Sequence, residues 1–183
     1  MTTTSTSPSR TNAEAIDLCV ESMQIMVTGT RADFERIVHP RAVNREAAAE
    51  PPAARVAGPA GFYATALWLR GAFADLAFEV HEAVADGDLV VVHNTMSGRH
   101  VGPMVGYAAD GSVAEAFPPT GRPFATTQSH WFRIADGQVI EHWANRDDIG
   151  TAQQLGWVPP SPLFLLRMWW AKRAARRAAA RTS

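Results

Sequence analysis

This sequence offers little for covalent or metal chemistry. Cys19 is its only cysteine, so no intrachain disulfide can form and no cysteine cluster can hold a metal. A lone thiol fits a reducing compartment. The opening residues are rich in Thr and Ser and lack the apolar core of a signal peptide. Nowhere is there a run of about 18 apolar residues, which excludes a spanning helix. The expected location is therefore the cytoplasm. There is no Gly-rich phosphate cradle, no Gly-x-Ser-x-Gly elbow and no His-Glu-x-x-His pair. The six histidines are scattered and lack the spacing of a metal site. No metal and no cofactor are expected. Acidic charge is missing from one end: from residue 162 onward there are six basic side chains and no acidic one. The rest of the chain carries 11 basic against 18 acidic groups, a balance of −7 hidden by the overall −1. A body of that sign is no nucleic-acid binder.

What is present is ordinary for a globular protein: 183 residues, 46% apolar and 19% charged, enough for one domain with a core and a ligand cavity. Residues 1–10 read as a disordered polar lead. Thr11 with Glu14 forms a capping box, and Ile16, Cys19, Val20, Met23 and Val27 follow at helical spacing, with Gly29 as the stop. A second, shorter helix runs from the cap Thr30 to Pro40. Residues 41–58 have no period and read as an irregular crossing segment. Pro59 opens a third helix, marked by Phe62, Ala66, Leu69 and Phe73. The period then changes to two. Leu76, Phe78 and Val80 alternate with polar residues, Asp86-Gly87 marks a hairpin, and Leu89 to Met96 reads as a central strand. Residues 101–125 carry many Gly and Pro and read as one long loop. Strands return at Thr126–Ile134 and Gln138–Asn145, and residues 148–155 form a short closing helix. Helices followed by an antiparallel meander argue for an α+β fold, with helices on one face of a curved sheet. Residues 11–157 make that domain. Residues 158–183 form a basic tail helix, which docks on a partner subunit or frays in solvent or, the less favoured reading, touches a membrane surface.

Three stretches carry a resemblance: Gly98-Arg99-His100-Val101-Gly102, then Pro118-Pro119-Thr120-Gly121-Arg122, then Phe132 to Trp143 closing with Gln153-Gln154-Leu155-Gly156. In this order they resemble the SnoaL-like ester cyclase family over about residues 12 to 157. The resemblance implies the cystatin-like cone of nuclear transport factor two and ketosteroid isomerase. It also implies cofactor-free closure of polycyclic aromatic methyl esters by intramolecular aldol condensation, and a homodimer formed through the outer sheet face. Two departures stand out. About ten extra residues lie between Gly106 and Pro118, and Ala144 occupies the position, two after His142, where the resemblance implies an acid/base aspartate.

Hairpin geometry selects the candidate site. A three-residue loop at Ala135-Asp136-Gly137 pairs His130 with His142 and Gln128 with Ala144, and places even-numbered residues of both strands on one face. A two-residue loop would instead set His130 opposite Trp143 and break the cluster. His130 also matches a histidine that the resemblance puts in the active site, and its ordinary pKa near 6.5 suits proton transfer. Two adjacent histidines disfavour each other's protonation, so His142 assists rather than duplicates it. Asp147 is either a substitute acid/base carboxylate or the cap of the helix after it. Arg99 stabilises an enolate or binds an ester, or is an exposed edge arginine. Asn94, Gln128 and Phe132 are candidate cavity-lining groups, and Trp157 a cover for the cavity mouth. The leading expectation is a cyclase acting on a polycyclic small molecule. The rivals are another reaction on the same fold (hydroxylation, isomerisation, dehydration or epoxide hydrolysis) and a non-catalytic binding module.

Overall fold

In a computed structural model, residues 11–182 are described; the polar lead at 1–10 lies outside them. Helix α1 spans Asn12–Thr28. Its capping box is complete: Thr11 Oγ1 accepts the Glu14 N–H at 3.3 Å, and the Glu14 carboxylate accepts the Thr11 N–H at 2.9 Å. Gly29 ends the helix with its N–H on Ile25 O at 2.8 Å. A Cβ there would lie 2.5 Å from that of Ile25, so the close approach requires glycine. Helix α2 is Arg31–Ile37 and helix α3 is Pro59–Ala72. They bury Phe34 and Ile37 in one and Phe62 and Ala66 in the other, as the spacing indicated, but Leu69 is half-buried, and Val38 and Phe73, read as helical, are buried at the starts of the strands that follow.

Strands occupy the expected end of the second helix with the first residues of the irregular segment, and part of the long loop. Residues Val38–Asn44 form β1, an edge strand parallel to the last strand of the main sheet. Pro40 is tolerated because an edge strand can spare an N–H. After it come two short 3-10 turns, Arg45–Ala49 and Pro52–Arg55. The long loop also holds structure: β4 (Met104–Tyr107) and β5 (Val113–Phe117) pair as a separate two-stranded hairpin. The main sheet is completed by β2 (Phe73–Asp86), β3 (Leu89–His100), β6 (Pro123–Ala135) and β7 (Gln138–Arg146), in the order β1-β7-β6-β3-β2. All its pairs except β1 with β7 are antiparallel.

The buried face of this sheet follows strict alternation. Val90, Val92, Asn94 and Met96 of β3 and Phe124, Thr126, Gln128, His130 and Phe132 of β6 all point inward. They meet the apolar faces of the helices in one continuous core. Helix α4 (Asp148–Gln154) follows β7, and α5 (Pro162–Thr182) forms the tail. The tail docks on this chain's own inserted hairpin. Phe164 is buried, Arg167 donates to Pro119 O at 3.1 Å, and Arg176 donates to Val113 O at 3.3 Å.

Phe34 is fully buried and packs at 5.4 Å on the ring of Tyr63. Phe34→Ala is expected to lower unfolding free energy by about 3–5 kcal/mol, measured by urea denaturation, with the midpoint shifted and the slope unchanged.

Candidate active site

The β6–β7 turn differs from the three-residue loop. Ala135 pairs directly with Gln138, leaving Asp136 (φ 51°) and Gly137 (φ 76°) as a two-residue turn, the left-handed pair that suits a hairpin. By itself that turn would separate the histidines. A bulge at Ile140 reverses the effect. Ile134 pairs with Val139, but Arg133 pairs with Glu141, so one residue of β7 is extra. The extra residue shifts the alternation by one position. Before it the inward residue is Val139; after it they are His142, Ala144 and Arg146. His130 therefore sits opposite Ala144, and His142 opposite Phe132. Trp131 and Trp143 face the other way and stack at 6.0 Å.

The two histidines still meet, on the diagonal. His130 Nδ1 lies 2.9 Å from His142 Nε2, and the rings stack at 5.2 Å. His142 Nδ1 lies 3.0 Å from Asn44 Oδ1, and His130 Nε2 lies 2.8 Å from Gln128 Oε1. Two neutral rings cannot donate to oxygens at both ends of this line, and the Asn44 end assigns the protons. Asn44 Oδ1 already accepts the backbone N–H of Glu46 at 3.1 Å, so it is an oxygen and takes a proton from His142 Nδ1. A neutral His142 then accepts at Nε2, His130 donates from Nδ1, and the lone pair of His130 is left at Nε2. Gln128 serves either state of that ring. In the structure its oxygen faces His130 Nε2 and its NH2 donates to Met96 Sδ at 3.3 Å, the arrangement that suits the imidazolium; turned over, the amide donates to the neutral ring.

These groups line a cavity of about 90 Å³, open at its mouth, between the sheet and helices α1 and α3. Phe62, Phe78, Met96, Phe132 and Trp68 supply apolar walls. Burial, helped by the positive charge of Arg146, lowers the pKa of His130 to about 4. Burial pushes His142 well below its ordinary value, and the charges of His130 and Arg146 act in the same direction. Both rings are neutral near pH 7.

Three polar groups of the cavity escaped sequence reasoning. Glu50 is 4% exposed and lines the cavity. Burial raises its pKa, while hydrogen bonds from Thr65 and Asn44 and the charge of Arg146 pull it back. Glu46 Oε1 accepts the Ala144 N–H at 3.1 Å, and its Oε2 pairs with Arg146 at 3.3 Å. Glu46 and Glu50 lie in the aperiodic segment, which gave no signal. Arg146 was within reach, because the parity that turns His142 inward extends four residues to it.

Other candidates fall outside the cavity. Asp147 caps α4, its Oδ1 accepting the Gly150 N–H at 2.7 Å, so its carboxylate is occupied at the helix start. Arg99 points to the outer side and pairs with Asp75 at 3.1 Å. Asn94 is fully buried behind the wall, donating to Gln128 O at 3.4 Å. Trp157 stacks on Phe117 at 4.3 Å and meets the buried His100 edge-on at 5.2 Å. It packs the inserted hairpin onto the domain and does not cover the mouth. His130, His142, Gln128 and Phe132 are the sequence candidates that line the cavity. Among the described residues no group of three or more His, Cys, Asp or Glu could hold a metal ion, and no helix is long and apolar enough to cross a membrane.

Helices and a curved sheet thus enclose an apolar cavity with a buried line of hydrogen-bonded polar groups, a fold suited to holding a small molecule. The chain belongs to the SnoaL-like polyketide cyclase family, whose pattern matches residues 19–155. It is 34% identical over 148 residues to the aklanonic acid methyl ester cyclase DnrD of Streptomyces peucetius, covering 80% of this chain and 94% of that protein. It is 32% identical over 134 residues to the nogalonic acid methyl ester cyclase of Streptomyces nogalater, covering 70% and 87%. The solved structure of TsrD from Streptomyces laurentii superposes with a TM-score of 0.65 at 26% identity, covering 80% of this chain and 98% of that one.

The low His130 pKa sets a pH dependence. Between pH 6.5 and about 4 the unfolded chain holds a proton on this residue that the folded chain does not. Stability therefore rises with pH through that window and falls on acidification, by up to about 3 kcal/mol. In denaturant titrations, His130→Gln is expected to flatten the slope of stability against pH between 4 and 6.5. An unchanged slope would mean that His130 is not buried neutral.

Proposed function

We propose that this chain closes a ring in a polycyclic aromatic ester by a cofactor-independent intramolecular aldol reaction, with His130 moving the proton. The observation behind this is the hydrogen-bonded line from Asn44 through His142 to His130 on the wall of an apolar cavity, a line that assigns the lone pair of a neutral His130 to Nε2, beside Gln128. The substrate carbon that loses a proton lies next to a carbonyl, and the resulting enolate is delocalised over the ligand. Nε2 takes that proton as the C–H bond breaks. The enolate carbon bonds to the ketone carbon, the ketone C=O pair moves onto oxygen, and Nε2–H returns the proton to the alkoxide. No atom is lost, and no oxidant or cofactor enters.

The protein supplies orientation and charge balance. Apolar walls at Phe62, Phe78 and Phe132 hold a flat ring system so that the two reacting carbons meet. His142 keeps the imidazole from rotating and accepts its Nδ1–H more strongly as positive charge develops. That charge is costly in a buried site, and the Glu50 carboxyl facing the same space offsets it. Ala144, opposite His130, carries no carboxylate, so Glu50 and Glu46 provide the acidic groups of this cavity. Arg99 and Asp147 have no part in the chemistry. The non-catalytic reading is disfavoured, since a module that only binds has no need to bury two hydrogen-bonded histidines in its apolar wall.

Aklanonic acid methyl ester is the probe that the relatives' names suggest. Wild type is expected to turn it over, and His130→Ala to lower kcat by about 10²–10⁴-fold. Equal rates in the two proteins would remove His130 from the mechanism. Absence of turnover with that ester and its nogalonic counterpart would sink the cyclase reading for these substrates. Glu50→Gln is expected to lower kcat by about tenfold or more with little change in KM. A matching loss in KM alone would make Glu50 a binding group.

A further inference from the structure

The family match ends at residue 155, and α5 begins at Pro162. The tail is therefore an addition to the catalytic domain, and its two faces differ. Phe164 is buried and Met168, Ala171 and Ala175 are half-buried on the inner side. The opposite side faces solvent with large apolar groups in its first half: Leu163 is 68% exposed, Leu166 54%, Trp169 53% and Trp170 57%. Single exposed apolar side chains need no explanation, but four adjoining ones on one helix face do.

The charge continues along that same face. Leu166, Trp170, Arg173, Arg177 and Arg181 follow at spacings of three and four, which stacks them in one row. Beside the row, Trp169, Lys172, Arg173, Arg176, Arg177 and Ala180 frame a shallow concavity. It holds four cations and no carboxylate, and α5 contains no acidic residue at all. The Arg173 guanidinium lies over the Trp169 ring at 5.7 Å, and the two tryptophans pack edge to face at 4.6 Å.

We infer that this face of α5 binds an anionic lipid surface, with headgroup phosphates in the basic concavity and Leu163, Leu166, Trp169 and Trp170 dipped among the acyl chains. Tryptophan favours that boundary because its ring is apolar with one polar edge. Arginine matches phosphate with a planar fork of donors. The helix lies flat and does not cross, since no window of it is apolar enough to span. Charge complementarity selects an anionic surface, and the −7 balance of the remaining chain keeps the contact confined to the tail. A nucleic acid would gain from the arginines but not from the exposed Leu and Trp side chains, and would be repelled by the acidic body.

The test uses the full chain in vesicle sedimentation. Phosphatidylglycerol-containing vesicles are expected to bind it at least about tenfold more tightly than pure phosphatidylcholine vesicles, with the difference shrinking at high salt. Arg173→Glu, Arg177→Glu and Arg181→Glu together are expected to abolish the preference, and Trp169→Ala with Trp170→Ala to weaken binding and remove a fluorescence blue shift. All five positions are exposed, so folding and turnover of a soluble substrate stay intact. The inference is overturned by equal or absent binding to the two vesicle types, by binding insensitive to the arginine reversal, or by full competition from millimolar inorganic phosphate. Equally tight binding to a DNA duplex would overturn it, as would self-association through α5 without vesicle binding.

Discussion

The alternation of side chains across the β6–β7 ladder governs the cavity, and the bulge at Ile140 sets its phase. A tight turn with Asp136 and Gly137 both at positive φ fixes the start of β7. From there a regular strand would carry His142 to the outer face. One unpaired residue restores it to the inside, together with Ala144 and Arg146. The same shift sends Trp131 and Trp143 outward as a stacked pair. A single backbone irregularity thus separates a polar wall from an aromatic outer face. Bulges often re-aim side chains next to functional sites, and here the re-aimed groups are the site itself.

Once His142 faces inward, burial dictates the rest. Two imidazoles in an apolar wall must hydrogen-bond or forfeit their solvation. They do so in a line that ends on Asn44, whose amide is oriented by the backbone of Glu46. The proton positions follow from that anchor. The same low-polarity surroundings act oppositely on the two kinds of titratable group: the histidines are held neutral and the Glu50 carboxyl is shifted up. Arg146, paired with Glu46, is the cation that keeps this carboxyl from being wholly isolated.

Two additions lie outside this arrangement and pack on each other. The extra residues between Gly106 and Pro118 fold as the β4–β5 hairpin, and α5 lies across it. Trp157 and Phe117 join the hairpin to the fully buried His100 at the end of β3. The insert is a platform for the tail. That explains why a loop rich in Gly and Pro is ordered here: its apolar side chains, Val113 and Ala116 among them, are buried.

The sequence by itself determined the class of fold, because helix caps, apolar spacing and turn residues are local signals. Thr11 with Glu14 and the cap Thr30 act within a few residues of themselves, and so does the β6–β7 turn, which is one residue shorter than the sequence indicated. Period-two alternation also put His130, Gln128 and Phe132 of β6 on one face; His142 was placed with them through a three-residue turn, and it reaches that face through the bulge instead. Tertiary structure decided what depends on distant partners. β1 carries no period of its own and exists as a strand only because β7 offers it an edge. Glu50 becomes a cavity group only because the segment after β1 folds back beneath α3 to meet Thr65. Asp147 and Trp157 had the right neighbours in sequence, but a helix N-terminus claimed the first and the inserted hairpin the second. Even the meeting of the two histidines, correctly expected, came about through a diagonal contact and a bulge. Register is set by the whole ladder, and one inserted residue changes it without leaving a mark in composition.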